Sequence, residues 1–346
     1  MNPFAIRDAE VRLVRMRLKE PFVTALGCKE ETVNAAVRIR LAGGAQGCGE
    51  ASGSVVMARQ TPQVLAAALR RLAARFRGRD VSASEPLAQD IWRAGGRVPA
   101  AAAAFECAAV EALCGALGVR LAAWFGGSGD RVETDLTLSA AAPEATAAAA
   151  RRAADAGFRT LKIKVGRGGA AADRERVLAA HQSGRRPRII LDGNQKLSVD
   201  SALRLVEACR RAGARIALLE QPLGHADIKG LARLKARCPV PIAADESARS
   251  AADVLRLAEH DAVDVVNVKV AKTGLRESLA IIAIARAAGM KLMIGCMQES
   301  ARGLAPSVHL ACGTGAFDFV DLDSDALLAE PQPRGDFRRD GRFLIL

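Results

Sequence analysis

Two lysines in the fragment Leu161-Lys162-Ile163-Lys164-Val165 are two residues apart, and in a strand that spacing sets both ammonium groups on the same face. Leu161 and Ile163 would turn the other way, so the lysines would face inward, where unpaired charge is costly. Anions to meet them close three later fragments, Leu191-Asp192-Gly193-Asn194, Leu219-Glu220-Gln221-Pro222 and Ala244-Asp245-Glu246-Ser247. Brought together, Asp192, Glu220 and Asp245 would repel one another and take up protons unless a cation sat among them. An all-oxygen set suits a hard divalent ion, Mg²⁺, with positions left for water or substrate. A helix N-cap accounts for Asp245 or Ser247 taken singly, but not for three carboxylates recurring with two inward lysines. A further lysine, Lys269, interrupts the apolar run Val266-Asn267-Val268-Lys269-Val270.

These fragments belong to a regular succession. Eight short β-type runs follow Gly126-Gly127, at Thr134–Ser139, Thr160–Val165, Arg188–Asp192, Ile216–Glu220, Pro241–Asp245, Val263–Val270, Lys291–Cys296 and Phe317–Asp321, with helical stretches between them. From the third run onward their ends recur every 24 to 28 residues or so, the length of a strand, a helix and two loops, which favours a closed barrel over an open sheet. Only the tail follows the eighth run, and Pro331, Pro333 and Gly335 within it leave no room for a full last helix. The expected fold is α/β, a modified (β/α)8-type barrel of (β/α)7β form spanning residues 131–324. Residues 1–130 read as an N-terminal α+β capping domain, with 325–346 returning to it. Within that unit, Val33–Leu41 and Ala45–Ala51 flank Gly43-Gly44 as a hairpin, so Gly47-Cys48-Gly49 is a weak nucleotide signal. A barrel of this kind works at the carboxyl ends of its strands, and strand six lies across from strand two. Lys164 and Lys269 would then approach one carbon from opposite faces, as removal of a proton from one side and its return to the other requires. Lys162 and the metal are the cations that would make a lysine a usable base.

Composition narrows the function further. With 346 residues, half of them hydrophobic and a quarter charged, disorder is excluded, and no apolar run reaches membrane-span length uninterrupted. Charges at Arg7, Asp8, Glu10, Arg12 and Arg15 occupy the place of a signal-peptide core, which reads as a cytoplasmic protein. The formal charge of +12 invites nucleic-acid binding, but it is spread as isolated arginines, aromatics are 3% and tyrosine is absent, so base-stacking equipment is missing. Neither nucleic acid nor membrane is an expected partner, and assembly into a homo-oligomer is left open. Eight cysteines without a Cys-x-x-Cys pair and four scattered histidines read as free thiols and single residues, not a zinc site.

The Lys-x-Lys of the second run, the Asp, Glu, Asp of the next three and the lysine of the sixth resemble the muconate-lactonising subgroup of the enolase superfamily, over nearly the whole chain. The resemblance implies Mg²⁺-assisted removal of a proton α to a carboxylate, giving an enediolate stabilised by the metal and Lys162, with Lys164 and Lys269 as the two bases. If the eighth strand continues through Phe319-Val320-Asp321-Leu322-Asp323-Ser324, its two carboxylates lie on one face, able to clamp an ammonium group. This Asp-x-Asp is similar to the feature of dipeptide epimerases that receives the free α-amino group. The fragment Ile294-Gly295-Cys296-Met297-Gln298-Glu299-Ser300 also resembles that family, whose loop lies along the dipeptide, and this implicates Cys296 and Met297. The implied substrate is an L,L-dipeptide inverted at its C-terminal residue; the alternative is an N-acylamino-acid racemase or o-succinylbenzoate synthase of the same subgroup. In the capping stretch Pro21–Cys28, which offers Thr24 and Leu26 as substrate contacts, Gly27 stands where Glu-preferring members carry arginine. Val23, Leu26, Val55, Val56 and Met57 are apolar, so acidic and hydrophobic side chains both remain open.

Overall fold

A computed structural model describes residues 2–24, 27–53, 60–183, 185–329 and 334–346, with the backbone alone for Thr24. The chain opens with an antiparallel sheet of β1 (Ile6–Thr24), β2 (Gly27–Leu41) and β3 (Gln46–Ala51), in the order β1-β2-β3. β2 and β3 are the expected hairpin, joined through Gly43-Gly44. Helices α1 (Pro62–Phe76) and α3 (Pro99–Leu117) cover one face of it, and α2 (Ser84–Gly95) packs against them. Leu65, Leu69, Leu72 and Phe76 recur every three or four residues along α1 and are all buried. Gly47 and Gly49 have a packing role: a Cβ at either would lie about 2 Å from a backbone oxygen of α3, Ala108 O or Ala104 O. Their place in the sequence reflects a strand laid directly on a helix, not a phosphate loop. α3 is the one helix among the described residues long and apolar enough to span a bilayer, and most of it is buried here.

After α4 (Leu121–Trp124) and β4 (Arg131–Glu133), strand and helix alternate: β5 (Leu136–Leu138), α5 (Pro143–Asp155), β6 (Thr160–Lys164), α6 (Ala170–Gln182), β7 (Arg188–Asp192), α7 (Val199–Arg211) and β8 (Arg215–Glu220). The series continues with α8 (Ile228–Lys235), β9 (Ile242–Ala244), α9 (Ala251–Glu259), β10 (Val265–Val268), α10 (Val270–Ala287), β11 (Lys291–Gly295), α11 (Ala301–Thr314) and β12 (Phe319–Asp321). Strands β5 to β12 pair in parallel in sequence order. The Asp135 N–H bonds to Val320 O at 3.0 Å, bringing the first and last strands together. Seven helices alternate with eight barrel strands among the described residues, a (β/α)7β barrel. Ile190, Leu218, Ala243, Val265, Met293 and Phe319 fill its interior below the charged residues, while Leu161, Ile163, Leu191 and Leu219 face the helices.

Several strands are shorter than their apolar runs. β10 stops at Val268, so Lys269 is the N-cap of α10, and Asp245 lies one residue beyond β9. The tail leaves through a 3-10 turn at Ser324–Leu327, bridges β1 where Leu328 faces Leu18, and ends as a hairpin, β13 (Arg338–Asp340) and β14 (Phe343–Ile345), paired with β4. All eight cysteines are free; four are buried, three half-buried and Cys28 is exposed.

Candidate active site

The carboxyl ends of the strands hold the expected charges in contact. Lys164 and Asp192 are register partners on β6 and β7, Asp192 and Glu220 on β7 and β8. Lys164 Nζ donates to Asp192 Oδ2 at 2.6 Å. Lys162 Nζ, fully buried one pleat deeper, lies 3.1 Å from Asp192 Oδ2, 2.7 Å from Glu220 Oε2 and 2.7 Å from Asp321 Oδ2. Lys269 Nζ lies 2.7 Å from Asp245 Oδ2. β6 and β10 are four places apart in the eight-strand order, which sets Lys164 and Lys269 on opposite sides of the mouth.

Burial and charge compete at each group. Burial alone would raise Asp192 and Asp245, yet Lys164 and Lys162 hold the first, and Lys269 and Lys272 the second, below the usual carboxylate range. Glu220 is pushed up to about 7 by burial, against the pull of Lys162. Burial would lower Lys162 and Lys269, but Asp321, Glu220 and Asp192 raise the first and Asp245 the second. Asp192 and Glu220 share Lys162, while Asp245 is held by Lys269 and Lys272. Among the described residues, the three carboxylates whose oxygens lie within 4.8 Å of one another are those of Asp135, Asp321 and Asp323.

That second cluster sits between β5 and the end of β12. Asp323 lies past the strand at the start of the 3-10 turn, yet its Oδ2 accepts the Thr137 N–H at 2.5 Å. Asp321 Oδ1 accepts the Thr137 hydroxyl at 3.3 Å, and Cys296 Sγ lies 3.8 Å from Asp323 Oδ1. A cavity of about 140 Å³ opens above both clusters, lined by Lys162, Lys164, Asp245, Lys269, Asp321 and Asp323, with Cys296 and Met297 from the β11–α11 loop. The capping sheet adds Phe22, Gly27 and Lys29 to the wall. Leu26 and Val55 to Met57 lie outside the described residues, as does the side chain of Thr24.

Sequence reasoning missed several participants. Lys272 is buried, donating to Asp245 Oδ1 at 2.6 Å and Asp245 O at 2.8 Å. Asn267 Nδ2 donates to Glu220 Oε1 at 2.8 Å. Gln221, at φ 32°, turns its amide to receive the N–H groups of Asp245 and Ser247. Lys29 and Arg249 line the cavity with no ion-pair partner among the described residues, and burial lowers the Lys29 ammonium.

A capped (β/α)7β barrel with opposed lysines around a carboxylate set defines an enolase-type architecture, and comparison places it within that class. The mandelate racemase / muconate lactonizing enzyme N-terminal domain model matches residues 6–126, and the enolase C-terminal domain-like model matches 144–343. The chain belongs to the mandelate racemase / muconate lactonizing enzyme family. It is similar to an aromatic dipeptide epimerase of Herpetosiphon aurantiacus, 37% identical over 99% of this chain and 97% of the relative. It is also similar to an L-Ala-D/L-Glu epimerase of Thermotoga maritima, 38% identical over 97% of each. A dipeptide epimerase of Enterococcus faecalis, solved with Mg and L-Leu-L-Tyr, superposes with a TM-score of 0.92 at 30% identity, covering 99% of this chain and 97% of that one.

Proposed function

We propose that this chain is a Mg²⁺-dependent dipeptide epimerase that inverts the C-terminal α-carbon of an L,L-dipeptide by two-base 1,1-proton transfer. The opposition of Lys164 and Lys269 across one mouth is the observation that carries this reading. The names of the relatives and the Mg-dipeptide complex of the Enterococcus faecalis enzyme support it. In this reading residues 1–130 cap a catalytic barrel of residues 131–324.

Asp192, Glu220 and Asp245 would hold the ion. They are buried oxygen donors from successive strand ends, without sulfur or nitrogen in the set, and the cations that balance them among the described residues are lysines. Bound there, Mg²⁺ supplies Lewis-acid polarisation of a substrate carboxylate. Lys162, kept protonated by three carboxylates, meets the charge that develops as the α-proton leaves. Lys164 exchanges a proton at one face of the α-carbon and Lys269 at the other. Asp321 and Asp323 accept the N-terminal ammonium, Cys296 and Met297 run along the dipeptide, and Thr24 and Leu26 are assigned to side-chain selection. The substrates of an N-acylamino-acid racemase or an o-succinylbenzoate synthase bring no ammonium for the acidic recess to bind.

Incubation with L-Ala-L-X dipeptides and Mg²⁺ in D₂O tests the reading. Mass spectrometry should find deuterium at the C-terminal α-carbon. Lys164→Ala and Lys269→Ala should each slow exchange by about 10²- to 10⁴-fold, to a different extent for the two epimers. Turnover of an N-acyl amino acid with no labelling of any dipeptide would overturn it.

A further inference from the structure

Charge balance is incomplete in the acidic recess. Asp135, Asp321 and Asp323 are all buried, with carboxylate oxygens mutually within 4.8 Å. Asp321 is served by Lys162 and the Thr137 hydroxyl, Asp323 by the Thr137 N–H and the Cys296 thiol. Among the described residues, Asp135 receives no donor at either Oδ1 or Oδ2. The ammonium in reach among the described residues, Lys162, is already shared with Asp192 and Glu220.

Three ionised carboxylates out of water beside part of one ammonium are strongly unfavourable, and a proton held among them relieves the repulsion. The residue without donors is the one to carry it. A carboxylic acid is itself a donor, and the acceptors grouped with Asp135 are the carboxylates of Asp321 and Asp323. The charged groups that act on Asp135 are Asp321 at the end of β12, Asp323 at the start of the 3-10 turn and Lys162 from β6. Burial and the two neighbouring carboxylates raise its pKa well above the ordinary value, in keeping with the geometry.

We propose that Asp135 is a positioning residue, present as the neutral acid, whose O–H bonds to Asp321 and so holds the Asp321–Asp323 pair as an acceptor for the substrate ammonium. The last part rests on the epimerase reading; the protonation of Asp135 does not. A neutral Asp135 leaves the recess with two negative charges, one of them partly matched by Lys162, which suits a single ammonium group.

Infrared difference spectroscopy of the protein against Asp135→Asn at neutral pH should show a carboxylic-acid C=O band lost in the variant. In dipeptide kinetics, Asp135→Leu should raise KM about tenfold or more with a smaller change in kcat, and Asp135→Asn, which keeps a donor toward Asp321, should recover most of that loss. Absence of the band, or a KM for Asp135→Leu equal to that of the parent, would overturn the proposal. If no dipeptide is turned over, the epimerase reading fails while the infrared band still decides the state of Asp135.

Discussion

A buried ammonium group is tolerated where carboxylates and carbonyls surround it, and Lys272 is the case that residue spacing concealed. The Lys-x-Lys of β6 was legible because a strand alternates faces. Lys269 and Lys272 straddle the end of β10 and the first turn of α10, where no single period applies. Glu299 was hidden differently. It lies on a loop, buried, with Oε2 accepting the Met297 N–H at 3.0 Å. Burial, aided by the Glu50 charge and opposed by that hydrogen bond, pushes it up from 4.5 to about 8. Since the folded value exceeds the unfolded one, the contribution of Glu299 to stability is fully present below the unfolded value and is lost as pH rises toward 8. Glu299→Gln should therefore flatten the decline of Tm between about pH 5 and 8 in calorimetry across that range. Parallel curves for parent and variant would assign the decline elsewhere.

At the scale of elements, local signals and packing divide the work. Ser198, Ser250 and Ser300 each cap a barrel helix by accepting an N–H three residues on, a pattern readable in the sequence. The start of α10 is not readable, because it is built by another helix. Gly274 breaks the helix at φ 71°, and a Cβ there would lie 2.1 Å from Glu106 Oε2 of α3. Glu106 accepts the Arg276 N–H at 2.8 Å and the Trp92 Nε1–H at 2.6 Å, tying α2 and α3 to the helix that begins at the Lys269 cap. Glu106→Ala should cost about 2 kcal/mol by leaving these donors unpaired, read as a lowered urea midpoint, and Glu106→Gln should cost less.

For the whole molecule, the capping sheet is fastened to the barrel beside the site. Glu50 of β3 accepts from Asn34 at 2.6 Å and from the Ser300 N–H at 3.0 Å, and Asn34 also donates to Gln298 O. Cap and barrel thus enclose one cavity with two carboxylate clusters joined through Lys162. The ion is expected at the first. Saturating Mg²⁺ should raise Tm by a few degrees, about 2.7 kcal/mol at a hundredfold excess over Kd. That shift should vanish in Asp192→Asn and Asp245→Asn and persist in Asp321→Asn. Loss in Asp321→Asn with retention in Asp192→Asn would move the ion to the Asp135 recess.

The amino-acid sequence alone determined the alternation of strand and helix, the inward face of β6 and the order in which charged residues reach the strand ends, because these follow from periods of two and 3.6 residues and from loop length. Tertiary structure decided the rest. Lys162 meeting both Glu220 and Asp321, Lys272 reaching Asp245, and Asp135 left without a donor among the described residues all depend on which distant side chains share a buried space. Whether a buried charge is paired, shared or neutralised is set by those neighbours, and no spacing along the chain encodes it.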